Sequence, residues 1–259
     1  MNKAVRKVVI VTGASRGIGA AVCKVLLEGN ANVVGISRSA LQDSRELSDL
    51  AHSHSEAFRY LSLDVAAEAA ASKIVEFGLS AFGRLDAVIH NAGLLDPISK
   101  IATADIAAWK KCFDVNFFAG LGLIQAAMPH LRANHGRIVL VSSGAAANAY
   151  KGWSAYCTSK AACNMLVAGL GLEEEDVVSV ALRPGVVDTE MQKQIREGGK
   201  EAMGEVDHDR FVQFKDSGKL LSPDVPGYVI AKLALHAEKE LSGQFISWDD
   251  ARLSSFRKP

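Results

Sequence analysis

The sequence predicts an α/β fold: a doubly wound, mostly parallel sheet of about seven strands with helices on both faces, in one domain spanning residues 1–259. Three observations predict it. Short apolar runs alternate with amphipathic stretches along most of the chain. Several runs are unbroken Val and Ile, as in Val8-Val9-Ile10-Val11, which suits strands buried on both faces. No linker-like stretch divides the chain, and 259 residues with 49% hydrophobic and 22% charged content are enough for one sizeable core.

Taken in order, the apolar run 8–11 is the first strand, and a glycine-rich turn leads into helix 17–28. The run 32–36 is the second strand and 41–52 the next amphipathic stretch. Strand 58–63, helix 68–82 and strand 87–90 continue the rhythm, followed by a long apolar helix at 106–131. Strand 137–141, helix 155–170, strand 177–182, helix 224–235 and strand 244–246 complete it. Such β-α-β-α order implies a parallel sheet, and right-handed crossovers make it a Rossmann-type doubly wound one. One segment breaks the rhythm. Residues 192–218 are rich in charge and glycine, about 27 residues where such connections usually run about 2–6. Its place after a strand C-terminus favours a substrate lid, spanning about 188–220, over a disordered insertion.

Composition excludes several classes. Lys plus Arg equals Asp plus Glu at 29 each, with no basic run, which argues against nucleic acid and against an electrostatic membrane anchor. The N-terminal apolar run is too short for a signal-peptide core, and no run of about 18 apolar residues suggests a spanning helix. Cys23, Cys112, Cys157 and Cys163 are scattered without a Cys-x-x-Cys, as expected of reduced thiols in a cytoplasmic protein. No metal is expected: His52 and His54 fall on different helix faces, and the other histidines have no ligand spacing.

The chemistry-bearing residues begin at Gly13-Ala14-Ser15-Arg16-Gly17-Ile18-Gly19, between the first strand and its helix. Glycines there allow a tight turn and close approach to a pyrophosphate, which a helix N-terminus attracts. The spacing is Gly-x-x-x-Gly-x-Gly, distinct from the Gly-x-Gly-x-x-Gly fingerprint. At the end of the second strand an NAD site commonly has an acid for the ribose 2′-hydroxyl. Here Ser37-Arg38 stands there, and Arg16 is within reach. A guanidinium forks onto a 2′-phosphate, so NADP(H) is the expected cofactor. Tyr156 and Lys160 are four residues apart and share one face if that stretch is helical. A cation within about 4–6 Å favours the phenolate and tunes the phenol toward acid-base work. Alone, the pair reads more readily as a tyrosine packed on a lysine stem.

With these residues in view, the chain resembles the classical short-chain dehydrogenase/reductase family over nearly its whole length. The matching motifs are Thr12 to Gly19, Asp64 after the third strand, Asn91-Ala92-Gly93, Asn116, Ser143, Tyr156-x-x-x-Lys160, and Arg183-Pro184-Gly185 with Thr189. The stretches around Asn116, Tyr156 and Val187-Asp188-Thr189-Glu190-Met191 further resemble those of fungal benzil reductases and sepiapterin reductases. His90 departs from the family by replacing its usual first asparagine before Asn91-Ala92-Gly93, and Cys157-Thr158 fills the middle of the Tyr-Lys motif.

The resemblance implies a hydride transfer to a small ketone or 1,2-diketone. Tyr156 would be the general acid, and Lys160 would lower its pKa and hold the nicotinamide ribose. Ser143 would hydrogen-bond the carbonyl. Asn116 would distort its helix and hold a water leading from Lys160 to solvent. Gly13, Ser15, Arg16, Gly17, Ile18, Gly19, Ser37, Arg38, Asp64, Val65, Asn91, Ala92, Gly93, Pro184, Gly185, Val187 and Thr189 would join Tyr156 and Lys160 in holding the cofactor. Asp64 has a second reading as a cap of the following helix. Ala145, Trp153, Asp188 and Met191 are the substrate-side candidates, with Trp153 alternatively in the core and Asp188 alternatively a cap for the helix near Thr189. Ser142 and Cys157 are expected bystanders. A homodimer, or a tetramer, is expected because helices 106–131 and 155–170 are more apolar than one sheet face would cover. An oxidative secondary-alcohol dehydrogenase and a non-catalytic NADP(H)-binding regulator are the alternatives. The second is disfavoured because Asn116, Ser143, Tyr156 and Lys160 are all present.

Overall fold

The computed structural model describes residues 5–258. Met1–Ala4 and Pro259 lie outside the described residues. The chain alternates β1 (Val8–Thr12), α1 (Gly17–Glu28), β2 (Asn32–Ser37), α2 (Arg45–Ser53), β3 (Phe58–Ser62), α3 (Ala70–Phe82) and β4 (Ala87–His90). It continues with α4 (Ile106–Phe113), α5 (Ala119–Ala133), β5 (Arg137–Val141), α6 (Ser154–Glu173) and β6 (Val178–Arg183). Then come α7 (Glu190–Gly198), α8 (Lys200–Met203), α9 (Glu205–Asp216), α10 (Asp224–His236) and β7 (Gln244–Ser247). The strands form one sheet in the order β3-β2-β1-β4-β5-β6-β7, and every pairing is parallel.

Strand side chains alternate between faces, so the unbroken apolar runs feed two cores. Val9 and Val11 join the layer under α1 and α10, whereas Val8 and Ile10 join the layer under α3, α5 and α6. All five residues of β1 are buried. Each such Val or Ile contributes about 1.5–3 kcal/mol relative to exposure. Strand order reverses between β1 and β4, and the C-terminal ends of these strands splay there into the crevice that open α/β sheets use for ligands.

Two expected helices are corrected in extent. The stretch 41–52 is not one helix: a 3₁₀ turn at Leu41–Asp43 precedes α2, because the Ser44 hydroxyl caps α2 at the Leu47 amide. The helix expected over 106–131 is interrupted by a π turn at Asp114–Phe118, as the resemblance implied for Asn116. The expected lid segment folds as three helices, α7 to α9, with glycines at their joints: Gly204 (φ +78°) precedes α9 and Gly218 (φ +65°) follows it. Exposed acid-base pairs such as Lys193 with Glu190 and Glu197 account for its charge. The helical stretch Ile106–Ala133 has the length and mean hydropathy of a helix that could cross a membrane, although Lys110, Lys111 and Asp114 interrupt its apolar run. Here its C-terminal half packs against α3 and the sheet.

Candidate active site

A cleft of about 1110 Å³ runs along the C-terminal ends of the strands, from Arg38 at one end to Phe211 at the other. Its floor is the turn after β1. Gly13 and Gly17 have φ of +67° and +56°, and a Cβ at Gly19 would sit 2.1 Å from the Gly13 carbonyl oxygen. Only glycine closes this turn. Asn91, beyond β4, pins it: its side-chain amide donates to the Thr12 and Gly13 carbonyls at 3.1 Å each. The Thr12 hydroxyl oxygen accepts from the Asn91 and Ala92 amides, also at 3.1 Å. Arg16 precedes α1 and, among the described residues, no side chain caps that helix. Its first amides and positive dipole end are therefore available to an anion.

At the end beside β2 and β3, Ser15, Arg16, Ser37, Arg38, Asp64 and Val65 line the cleft. Arg38 is exposed, and the Ser37 hydroxyl is engaged by the Tyr60 phenol at 2.7 Å. Asp64 does not cap a helix: its carboxylate accepts from the Ala66 amide at 3.0 Å, and α3 begins only at Ala70. Thr189 closes over the phosphate turn, since a Cβ on Gly17 would approach its methyl to 3.3 Å.

The centre of the cleft is built by β5, α6 and the π turn. Tyr156 and Lys160 lie on one face of α6, with the Lys160 ammonium 5.8 Å from the Tyr156 ring centroid. Both are buried, and Lys160 Nζ donates to the Val141 carbonyl at 2.8 Å. Ser143 accepts from the Ala145 amide at 3.1 Å, fixing the hydroxyl at the start of the next turn. Asn116 is fully buried. Its Oδ1 accepts from the Leu94 amide at 2.7 Å, while its Nδ2 donates to the Leu94 carbonyl at 2.8 Å and to Ser159 Oγ at 3.0 Å. The Asn116 carbonyl accepts from Cys163 Sγ at 3.2 Å. Gly93 lies between the two: a Cβ there would be 3.5 Å from Asn116 Oδ1 and 3.6 Å from Lys160 Nζ.

His90, the family departure, is buried behind this cluster. Burial, and then the Lys160 charge, push its pKa down to about 4. Ser142, the expected bystander, bonds Asn164 at 2.6 Å. Cys157 points to the Asn148 carbonyl, and burial raises its thiol pKa.

The short chain dehydrogenase family pattern matches residues 7–200. The chain belongs to the short-chain dehydrogenase family. An uncharacterised oxidoreductase of Schizosaccharomyces pombe is 46% identical over 249 residues, covering 96% of this chain and 98% of the relative. A benzil reductase ((S)-benzoin forming) of Saccharomyces cerevisiae is 38% identical, covering 95% and 97%. The crystal structure of a short-chain dehydrogenase/reductase from Saccharomyces cerevisiae superposes with a TM-score of 0.93 at 36% identity, covering 97% of this chain and 100% of that one.

As a short-chain dehydrogenase the chain uses a nicotinamide cofactor, NAD or NADP. The cleft fits one: the glycine turn and the uncapped N-terminus of α1 line it, leaving backbone amides there for a pyrophosphate. Asn91, Ala92, Gly93, Pro184, Gly185, Val187 and Thr189 line the path onward to Tyr156 and Lys160.

The end of the cleft away from Arg38 is aromatic in this short-chain dehydrogenase. Trp153 stands edge-on to Tyr156 at 6.2 Å between ring centroids, with Tyr150 at 4.9 Å and Phe211 at 5.0 Å from its own ring. Leu95, Ala145 and Ile195 belong to the same cluster, and Met191 packs on it. Trp153 is thus both core residue and cleft wall. Asp188 neither caps α7 nor stands free: Thr189 is the cap, and Asp188 pairs with Lys215 of α9 at 2.7 Å. Sequence reasoning missed Tyr150, Leu95, Ile195 and Phe211. The spacing Tyr150-x-x-Trp153-x-x-Tyr156 was a usable signal for the first. Phe211 lies in the three-helix segment, and its place depends on how α9 folds back.

Proposed function

We propose that this short-chain dehydrogenase is an NADPH-dependent carbonyl reductase acting on a small ketone or 1,2-diketone of the benzil kind. One observation carries the reading: Ser143, Tyr156 and Lys160 share the cleft wall directly beside an aromatic pocket. Cofactor choice is supported by Arg16 and Arg38 at the adenosine end, with Ser37-Arg38 closing β2 where an acid would favour NADH. Relatives named benzil reductases support the substrate class.

The residues' parts follow from their bonds. Ser143 Oγ already accepts from the Ala145 amide, so its own hydrogen is free to donate to a carbonyl oxygen in the cleft. Tyr156 donates its phenolic proton to that same oxygen. Lys160 spends one ammonium hydrogen on Val141 and keeps two, for the ribose hydroxyls and for solvent. Its charge beside the ring stabilises the phenolate left after proton transfer. Bound nicotinamide supplies the hydride. Trp153, Tyr150 and Phe211 cover the flat group of the substrate and exclude water from the reacting carbonyl.

The test is NADPH oxidation with benzil and a panel of ketones, followed by loss of the reduced nicotinamide absorbance. Turnover of diketones with NADPH supports the reading. Tight NADPH binding without turnover across the panel refutes it in favour of a binding-only role. The proposed oligomer is a homodimer, supported by the exposed apolar side chains Phe118 (54% exposed), Met165 (74%) and Leu172 (88%) on the π turn and α6. Sedimentation as a monomer would remove that part.

A further inference from the structure

We propose that Tyr60 and Ser62 of β3 are positioning residues for cofactor choice. They orient the corner 37–39, beyond β2, so that two backbone amides join Arg38 in facing a 2′-phosphate. The proposal rests on the NADPH reading above.

Each carbonyl of the corner is turned toward β3. The Ser37 carbonyl accepts from the Leu63 amide at 2.8 Å. The Arg38 carbonyl accepts from the Ser62 hydroxyl at 3.1 Å. The Ser39 carbonyl accepts from the Tyr60 phenol, a short bond. Tyr60 and Ser62 are i and i+2 on one strand, so both hydroxyls rise on the same side.

A trans peptide points its N–H opposite to the preceding carbonyl. With the Ser37 and Arg38 carbonyls held toward β3, the Arg38 and Ser39 amides point away from it, toward β1. The turn carrying Ser15 and Arg16 lies there, and Ser44 Oγ ties α2 to the Ser15 carbonyl at 2.6 Å. Among the described residues, neither the Arg38 nor the Ser39 amide donates to a protein acceptor. Two free amides at the edge of the cleft that Arg16 and Arg38 also line give a donor set for an anion.

Proton counting moves Ser37 out of that set. Tyr60 has one hydroxyl hydrogen, committed to Ser39. The 2.7 Å contact between Tyr60 and Ser37 must then use the Ser37 hydrogen. The Ser37 hydroxyl, expected from the sequence to hold cofactor, is occupied in orienting the corner.

The experiment compares dissociation constants of NADPH and NADH, by titration calorimetry on the free protein, for wild type, Tyr60→Phe, Ser62→Ala and the double variant. Tyr60→Phe retains the ring, and thermal midpoints verify folding. Losing both hydroxyls should weaken NADPH about tenfold and leave NADH within about twofold. Ser62→Thr, which keeps a hydroxyl, should bind NADPH as wild type does. Equal weakening of both dinucleotides, or none, overturns the inference while the cofactor reading stands. Wild type binding NADH more tightly than NADPH overturns both.

Discussion

The Thr12 hydroxyl lies 3.1 Å from Nδ1 of His90, a histidine buried behind the reaction centre. His90 Nε2 is 3.1 Å from the Val115 carbonyl, which only accepts, so Nε2 carries the hydrogen. Nδ1 must then accept from Thr12. The threonine oxygen in turn takes the Asn91 and Ala92 amides. A single neutral imidazole thus joins the π turn holding Asn116 to the floor of the cofactor cleft. The ring fills the space that Gly120 leaves open, where a Cβ would meet His90 Cδ2 at 2.8 Å.

That relationship predicts a pH dependence of stability. His90 has its pKa lowered to about 4 in the folded chain, mainly by burial and then by Lys160. An unfolded histidine titrates near ~6.5. Between these values the unfolded chain binds the proton and the folded chain does not, so stability rises with pH across the window and falls on acidification. The stabilisation is complete above about pH 6.5 and is lost as pH drops toward 4, at most about 3 kcal/mol. His236 is shifted the same way by burial and adds to the slope. Urea midpoints through this window should show a much shallower slope for His90→Asn than for wild type, whatever its absolute stability. An unchanged slope would mean that His90 is not the group responsible.

Replacing the phenol tests the acid. Tyr156→Phe keeps the edge-on packing against Trp153 and removes only the hydroxyl. Turnover should fall by about 10²–10⁴-fold while the dissociation constant for NADPH stays within about twofold. Residual activity near wild type would assign the proton to another group.

Lys160 should act on binding and chemistry together. Its ammonium holds the Val141 carbonyl inside the protein and lies beside the Tyr156 ring. Lys160→Ala leaves that carbonyl unpaired, a cost of about 1–3 kcal/mol in stability. Both NADPH affinity and turnover should drop. Intact NADPH affinity, measured by fluorescence titration, would show that Lys160 does not reach the ribose.

Arg38→Asp puts an acid at the end of β2. On the proposed NADPH reading it removes a charge-assisted contact to the 2′-phosphate, worth about 1.5–3 kcal/mol, and sets an acid where NAD sites commonly have one. NADPH should weaken by about 10–100-fold and NADH should gain. Steady-state kinetics with both cofactors would expose an error in the assignment if NADPH affinity held.

Much of this was legible in the residues. The apolar runs at β1, β2, β4 and β5 required a parallel sheet, because unbroken Val and Ile sequences bury both faces of a strand. The glycine turn and the Tyr156–Lys160 pair are marked by residue type and spacing, and Asn116 and Ser143 by the family resemblance. Local hydrogen bonds decided what periodicity missed. Ser44 caps α2 and splits one expected helix, and Thr189 rather than Asp188 caps α7.

What the sequence by itself determined was therefore the fold, the family and the centre of the cleft, since these depend on periodicity and on motifs local to the chain. Only the tertiary structure decided the contacts between distant segments. It brought Lys215 to Asp188, Phe211 to Trp153, Tyr60 to Ser37 and His90 to Thr12. Each of these joins elements whose relative placement follows from packing across the sheet and the three-helix segment, and no local pattern encodes such a distance.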